Sequence, residues 1–193
     1  MIIKGESIDS KKILTTEEFI EFQVRNAIVE EEDIEEDFVM KNVDLSKVDF
    51  EAVKNVSEYI NYSLLISTKF INCDFHYNIF VKGFTHCEFE NCDFSGSVMK
   101  AGSHLISFCK FNDCNFEGMR FDSITFEDTE FNNSEFESVI FLRNYFERCR
   151  FNNLITNVLM RASRIKKCDF TNARILDKNF KENDDLDFFE CKF

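Results

Sequence analysis

Proline and tryptophan are absent from this chain, and its 193 residues include only five glycines and three histidines. Without proline no backbone N–H is missing, so the whole main chain can donate to strand ladders. The start, Met1-Ile2-Ile3-Lys4-Gly5-Glu6, lacks the basic segment and apolar run of a secretory signal, and no window approaches the roughly 18 uninterrupted apolar residues of a membrane span. A soluble, cytoplasmic protein is expected. No P-loop, G-x-G-x-x-G, G-x-S-x-G or H-E-x-x-H segment occurs, so neither catalysis nor a cofactor is expected. Positive charge is also in deficit: 23 Lys and Arg against 36 Asp and Glu leave a net −13. Nucleic acid and anionic membranes would repel such a chain, so its acidity fits either solubility, with ion pairs between neighbouring coils, or a partner with a basic surface.

What the chain does have is phenylalanine, 25 of them within a hydrophobic fraction of 44% that is ample for a core. Phe111, Phe116, Phe121, Phe126, Phe131, Phe136, Phe141, Phe146 and Phe151 follow one another at intervals of five. Five matches neither a helix face nor an alternating strand, which points to a solenoid. The run extends upstream through Leu45, Phe50, Ile60, Leu65, Phe70, Phe75 and Phe80, then shifts by one residue to Phe84, Phe89, Phe94 and Met99. Downstream it passes through Ile155, Met160, Ile165, Phe170, Ile175 and Phe180. Two residues before most of these positions stands a small side chain, such as Cys109, Cys114, Thr129, Ser134 or Cys149. Residues two apart on a strand share a face, so both point inward, while the mostly polar residues between and after them point out or form a corner.

The units Asn72-Cys73-Asp74-Phe75, Asn91-Cys92-Asp93-Phe94 and Cys168-Asp169-Phe170-Thr171-Asn172 resemble the pentapeptide-repeat family over residues 38–193. The resemblance implies an all-β fold, a right-handed quadrilateral β-helix with four units in each 20-residue coil. Asn112, Asn132 and Asn152, and likewise Lys110, Glu130 and Arg150, would then stack one rung apart.

Residues 1–37 form an N-terminal cap or irregular first coils, and allow two readings. Thr15-Thr16-Glu17-Glu18 followed by Ile20, Val24, Ala27 and Ile28 suits a capped amphipathic helix. Phe19, Val24, Val29 and Ile34 keep the interval of five and suit further coil, the reading preferred here. With it, the rod has about nine coils and a length of about 40 Å at one strand spacing per coil.

All eight cysteines precede an array position by two, which accounts for them as buried thiols behaving as small hydrophobes rather than metal ligands or disulfides. His76 and His86 fall at outward sites and His104 at a register break, none with ligand spacing. Glu117, Glu135 and Glu137 belong to an acidic zone, whereas Arg143 to Lys181 is basic, which makes the rod electrically polar along its axis. Outward apolar residues Tyr59, Ile79 and Val81 form a candidate contact patch on one side.

These features describe a rigid protein-interaction scaffold whose faces bind a protein partner. Members of the resembled family that confer quinolone resistance are acidic rods of DNA-like width that bind type II topoisomerase, and Gly5-Glu6-Ser7-Ile8-Asp9 looks like their N-terminal segment. The resemblance therefore also implies gyrase as a partner, although the basic section departs from a uniformly acidic rod. Finally, Phe188 and Phe193 resume the array after a shift, and the edge they present suggests a homodimer through the C-terminal coil.

Overall fold

A computed structural model describes residues 7–9, 13–27, 38–49, 63–66, 68–99, 104–152, 154–156, 158–176, 180 and 183–193. Short strands of two to four residues stack in parallel into four sheets that wall a single core. One seven-stranded sheet runs from Ser7–Asp9 through Phe38–Lys41 and Lys110–Asn112 to Arg150–Asn152. The next face, moving along the chain, is made of single-residue bridges joining Asp44, Asp74, Asp93, Asn115 and Glu135, continued by the strand Phe136–Glu137. The third is a five-stranded sheet from Ile79–Phe80 to Leu159–Arg161, and the fourth a seven-stranded sheet from Ser63–Ile66 to Leu186–Phe189.

The interval of five is one side of the coil. In each unit the central residue and the one two before it are buried, as with Cys109 and Phe111 or Thr129 and Phe131. The residue two after the centre turns the chain, and it takes a left-handed conformation that side chains other than glycine rarely adopt. His86, Phe108, Asp128, Arg148, Lys167 and Glu190 mark one such corner, all with φ between 47° and 56°. On the bridged face the corner is a tight turn in which Ser97 N–H donates to Phe94 O and Met119 N–H to Phe116 O. Its third residue needs positive φ, which Gly96 and Gly118 supply.

Phenylalanine fills the interior in vertical stacks. Phe70, Phe89, Phe111, Phe131, Phe151, Phe170 and Phe193 form one column with successive centroids 4.7–5.2 Å apart and rings within 15° of parallel. That distance is close to the spacing of paired strands, so a Phe in every coil stacks without distorting the ladder. The predicted stacking is met in register: Lys110, Glu130 and Arg150 pair in sequence, as do Asn112, Asn132 and Asn152.

Two expectations are corrected. Residues Thr16–Ala27 form a helix and not further coil. Thr15 and Glu18 close a reciprocal capping box, with Glu18 N–H to Thr15 Oγ1 at 3.2 Å and Thr15 N–H to Glu18 Oε2 at 3.0 Å. Glu17 and Glu18 also face the positive end of the helix dipole. Phe19 is fully buried in the common core, so its place in the interval of five is compatible with either structure.

The second correction is the number of coils, about five regular turns of roughly 20 residues rather than nine. The helix removes one stretch, and the strands outside the regular turns add single rungs to the longer sheets. The turns also vary: partners are 20 residues apart at Phe111 and Phe131, 19 at Phe146 and Ile165, and 22 at Phe89 and Phe111. Phe50, Tyr59 and Ile60 lie outside the described residues, as do the side chains of Leu65 and Ile155.

Candidate interaction faces

The small inward residues do more than fill space. Each of several carries a donor that reaches the main-chain carbonyl of a central residue in the preceding coil: Ser134 Oγ to Phe111 O at 3.2 Å, Thr129 Oγ1 to Ile106 O at 3.2 Å and Cys149 Sγ to Phe126 O at 3.5 Å. Carbonyls inside a phenylalanine core are otherwise costly to bury, so a small side chain with a polar tip is the residue type the position needs. Sequence reasoning missed that Asn78 and Asn144 occupy this site too, because asparagine resembles the outward residues in composition. Asn144 donates to Phe121 O at 3.1 Å and accepts from Ile124 N–H at 2.8 Å.

An inward central residue, a second inward residue two before it and an outward corner recur on each of four sides: the architecture is a β-solenoid with phenylalanine at intervals of five. No protein-family model matches the chain, and no curated protein matches it. Among solved structures it is similar to three of QnrB1, a plasmid-mediated fluoroquinolone resistance protein. One trypsin-treated variant shares 13% identity at a TM-score of 0.49, over 98% of this chain and 90% of that one. A second trypsin-treated variant gives 15% and 0.39 over 98% and 88%. The full-length protein gives 12% and 0.34 over 98% and 92%.

Within this solenoid the cysteines occupy inward columns. Seven are buried and Cys191 is half-buried, a correction to the expectation that all eight are enclosed. Burial pushes the thiols of Cys109 and Cys149 well above the ordinary cysteine range, and Cys73 is raised chiefly by its hydrogen bond with Cys92. Among the described residues no group of three or more His, Cys, Asp or Glu is placed to hold a metal ion. No helix among them is long and apolar enough to cross a membrane. His76 and His86 are outward as expected, but His104 is inward and buried, two residues before the central Ile106 and paired with Ile124.

The candidate contact residues separate onto two adjacent faces. Glu117, Glu135 and Glu137 are exposed on the bridged face. Glu135 follows Asp44, Asp74, Asp93 and Asn115 in one column. Glu117 and Glu137 stand in the next, one coil apart, linked by Gly118 N–H to Glu137 O at 2.9 Å. Glu117 is oriented by its own N–H, which donates to Asn115 Oδ1 at 2.9 Å. Among the described residues none of these three glutamates forms an ion pair. Tyr77, 77% exposed, lays its ring over Gly96, where a Cβ would come within 2.4 Å of the ring.

The basic section behaves differently. Arg148 holds Asp128 of the preceding coil in a two-point contact at 2.8 Å and also meets Glu127. Arg150 reaches Glu130 at 3.0 Å and Lys166 reaches Glu147 at 2.9 Å. The Arg148 and Arg150 pairs cross from the basic section into the acidic zone before it, which offsets part of the expected axial polarity at that boundary, while Lys166 and Glu147 pair within the basic section. The glutamates of the bridged face are left out of that pairing.

Ile79 and Val81 lie on the third face. In-register pairing there places Ile79, Val98, Arg120, Ile140 and Leu159 in one outward column, bringing together apolar residues that are 80 apart in sequence. Tyr59, expected beside them, lies outside the described residues. At the C-terminal end Phe188 packs against the core and pairs with Ile165, while Phe193 stacks on Phe170 with 43% of its surface exposed.

Proposed function

We propose that this protein is a non-catalytic interaction scaffold whose bridged face docks a protein partner with a basic surface. The observation that carries the reading is the pair of columns ending in Glu117, Glu135 and Glu137, exposed and without an ion pair among the described residues while nearby carboxylates are neutralised by Arg148, Arg150 and Lys166. Because the columns ride on a hydrogen-bonded stack, binding them costs little ordering of the main chain, and rigid complementary charge favours fast, specific encounter. The test uses the wild-type chain and its Glu117→Lys/Glu135→Lys/Glu137→Lys variant as paired baits for proteins of the native host. A protein held by the first, released by salt and lost by the second supports the reading; identical captures overturn it.

The same columns support a narrower reading, in which the partner is a type II topoisomerase such as gyrase and the acidic face stands in for DNA. Duplex DNA carries about one charge per 1.7 Å of axis, whereas a column gains at most one carboxylate per rung of about 4.8 Å. The general reading therefore ranks first. Inhibition of supercoiling by the host enzyme, or its protection from quinolones, at low micromolar protein would favour the narrower one; no effect at tens of micromolar would eliminate it.

A further inference from the structure

We infer that the third face is a self-association surface, on which a second copy of this chain packs side by side with both stacks running the same way. The inference is independent of the acidic face. On a strand of this sheet the two outward positions are two residues apart, and the described rows carry self-complementary pairs. The first row has Ile79 and Val81, the fourth Ile140 and Leu142, all apolar. The third has Arg120 and Asp122, of opposite charge, and the fifth has Leu159 and Arg161. Val98, in the second row, extends the apolar column. Ile79 and Leu159 are 45% and 42% exposed, and the in-register pairing sets both in one column of this face.

A two-fold axis along the stack, lying between two such faces, reverses the strand direction and leaves the rung order unchanged. Every left-hand residue then meets the right-hand residue of the same row in the other copy, as an isologous interface demands. Ile79 meets the second copy's Val81, and Ile140 the second copy's Leu142. Leu159 meets the alkyl stem of the second copy's Arg161. At the centre Arg120 faces the second copy's Asp122. Within one chain Arg120 Nη2 already lies 3.2 Å from Asp122 Oδ2; the arginine side chain is 46% exposed and the aspartate 15%, its other oxygen accepting from Arg143 and Ser123. Association would therefore close a ring of four alternating charges.

The alternative two-fold, along the strands, would set Arg120 against Arg120 and Asp122 against Asp122, a like-charge contact that disfavours it. The C-terminal edge is a weaker surface for the same reason. Asp184 and Asp185 are exposed in the last coil and would add like charge across a two-fold there, whereas Asp187 and Glu190 are paired with Arg164 and Lys167.

Sedimentation equilibrium on the full chain tests this. Wild type is expected to dimerise at tens of micromolar. Arg120→Glu and Asp122→Lys should each weaken association at least about tenfold, since each places like charges opposite each other twice. An equimolar mixture of the two variants should dimerise again. In the mixed pair the introduced glutamate of one chain opposes the introduced lysine of the other, and the remaining native Arg120 opposes the remaining native Asp122. Ile140→Lys should give monomer while circular dichroism stays that of the wild type. A wild-type monomer up to about 100 μM, the range in which association near −5.5 kcal/mol would register, overturns the inference. So does a dimer that all three substitutions leave intact, which would move the contact to the C-terminal edge.

Discussion

Asn144 donates from Nδ2 to the main-chain carbonyl of Phe121, 3.1 Å away in the preceding coil, inside a wall of phenylalanine. Its Oδ1 accepts from Ile124 N–H at 2.8 Å, so one side chain satisfies two buried main-chain groups. Asn144→Leu keeps the size and removes both bonds. It should destabilise the protein by about 1–3 kcal/mol for each orphaned group. Denaturant midpoints measured beside wild type check this, and an unchanged midpoint would show that the inward donor is dispensable.

Phe131 is fully buried and stacks between Phe111 and Phe151, each 5.2 Å away. Phe131→Ala should cost about 3–5 kcal/mol, through lost transfer energy and the cavity left behind. Asn133, two residues on, is outward but has φ of 51°, so alanine there is not the neutral change that outward placement suggests. Asn133→Ala should cost about 1 kcal/mol and Asn133→Gly close to nothing, because alanine carries the Cβ penalty of the left-handed corner and glycine does not. Equal midpoints for Phe131→Ala and Asn133→Ala would mean that the inward register is wrong.

A thiol reagent should distinguish one cysteine from seven. Cys191 is half-buried and the others are enclosed, with Cys109 and Cys149 held protonated by burial. In native buffer one equivalent should react, slowly, because burial raises the Cys191 thiol as well; the remainder should need denaturant. Rapid native reaction of several thiols would contradict the enclosed columns.

Acid should loosen the C-terminal half. Glu147 is held below the ordinary carboxylate range first by the Lys166 hydrogen bond, and Asp169 by its bonds to Thr171. For Asp122 burial opposes ionisation, but Arg120, Ser123 and Arg143 outweigh it and the carboxyl is again lowered. A depressed folded pKa contributes stability that is present above the unfolded value and is lost as pH falls through the folded one. Stability should therefore decline below about pH 4, the unfolded carboxylate range. The groups lie near the surface, so high salt should flatten that decline. Thermal midpoints at pH 7, 4 and 3, with and without salt, measure it; a flat profile would remove the ion pairs from the account.

The solenoid was legible because its repeat is a local rule. Cys109 and Phe111 face inward for the same reason as Thr129 and Phe131, the alternation of side chains on a short strand, and no distant contact is needed to know it. The Asn112, Asn132 and Asn152 column was legible as well, since those coils all hold 20 residues. Asn144 was not, because its role depends on two main-chain groups of a different coil that no local pattern reveals. The bonding of Arg148 to Asp128 was hidden in the same way, behind charges that read as a basic section and an acidic zone.

By itself, then, the sequence determined the unit: that the central residue of each five points in together with the one two before it, and that phenylalanine recurs at the same place in coil after coil. Tertiary structure decided how the units add up. Whether Phe19 lies in coil or helix was a contest between a periodic pattern and the Thr15–Glu18 capping box, and the capping bonds won. Which outward residues share a face depends on the running total of residues in each coil, and turns of 19 and 22 residues change that total. Ile79 reaches the column of Ile140 and Leu159 only because main-chain hydrogen bonds lock each coil onto the one before it, and that register is set by the stack as a whole.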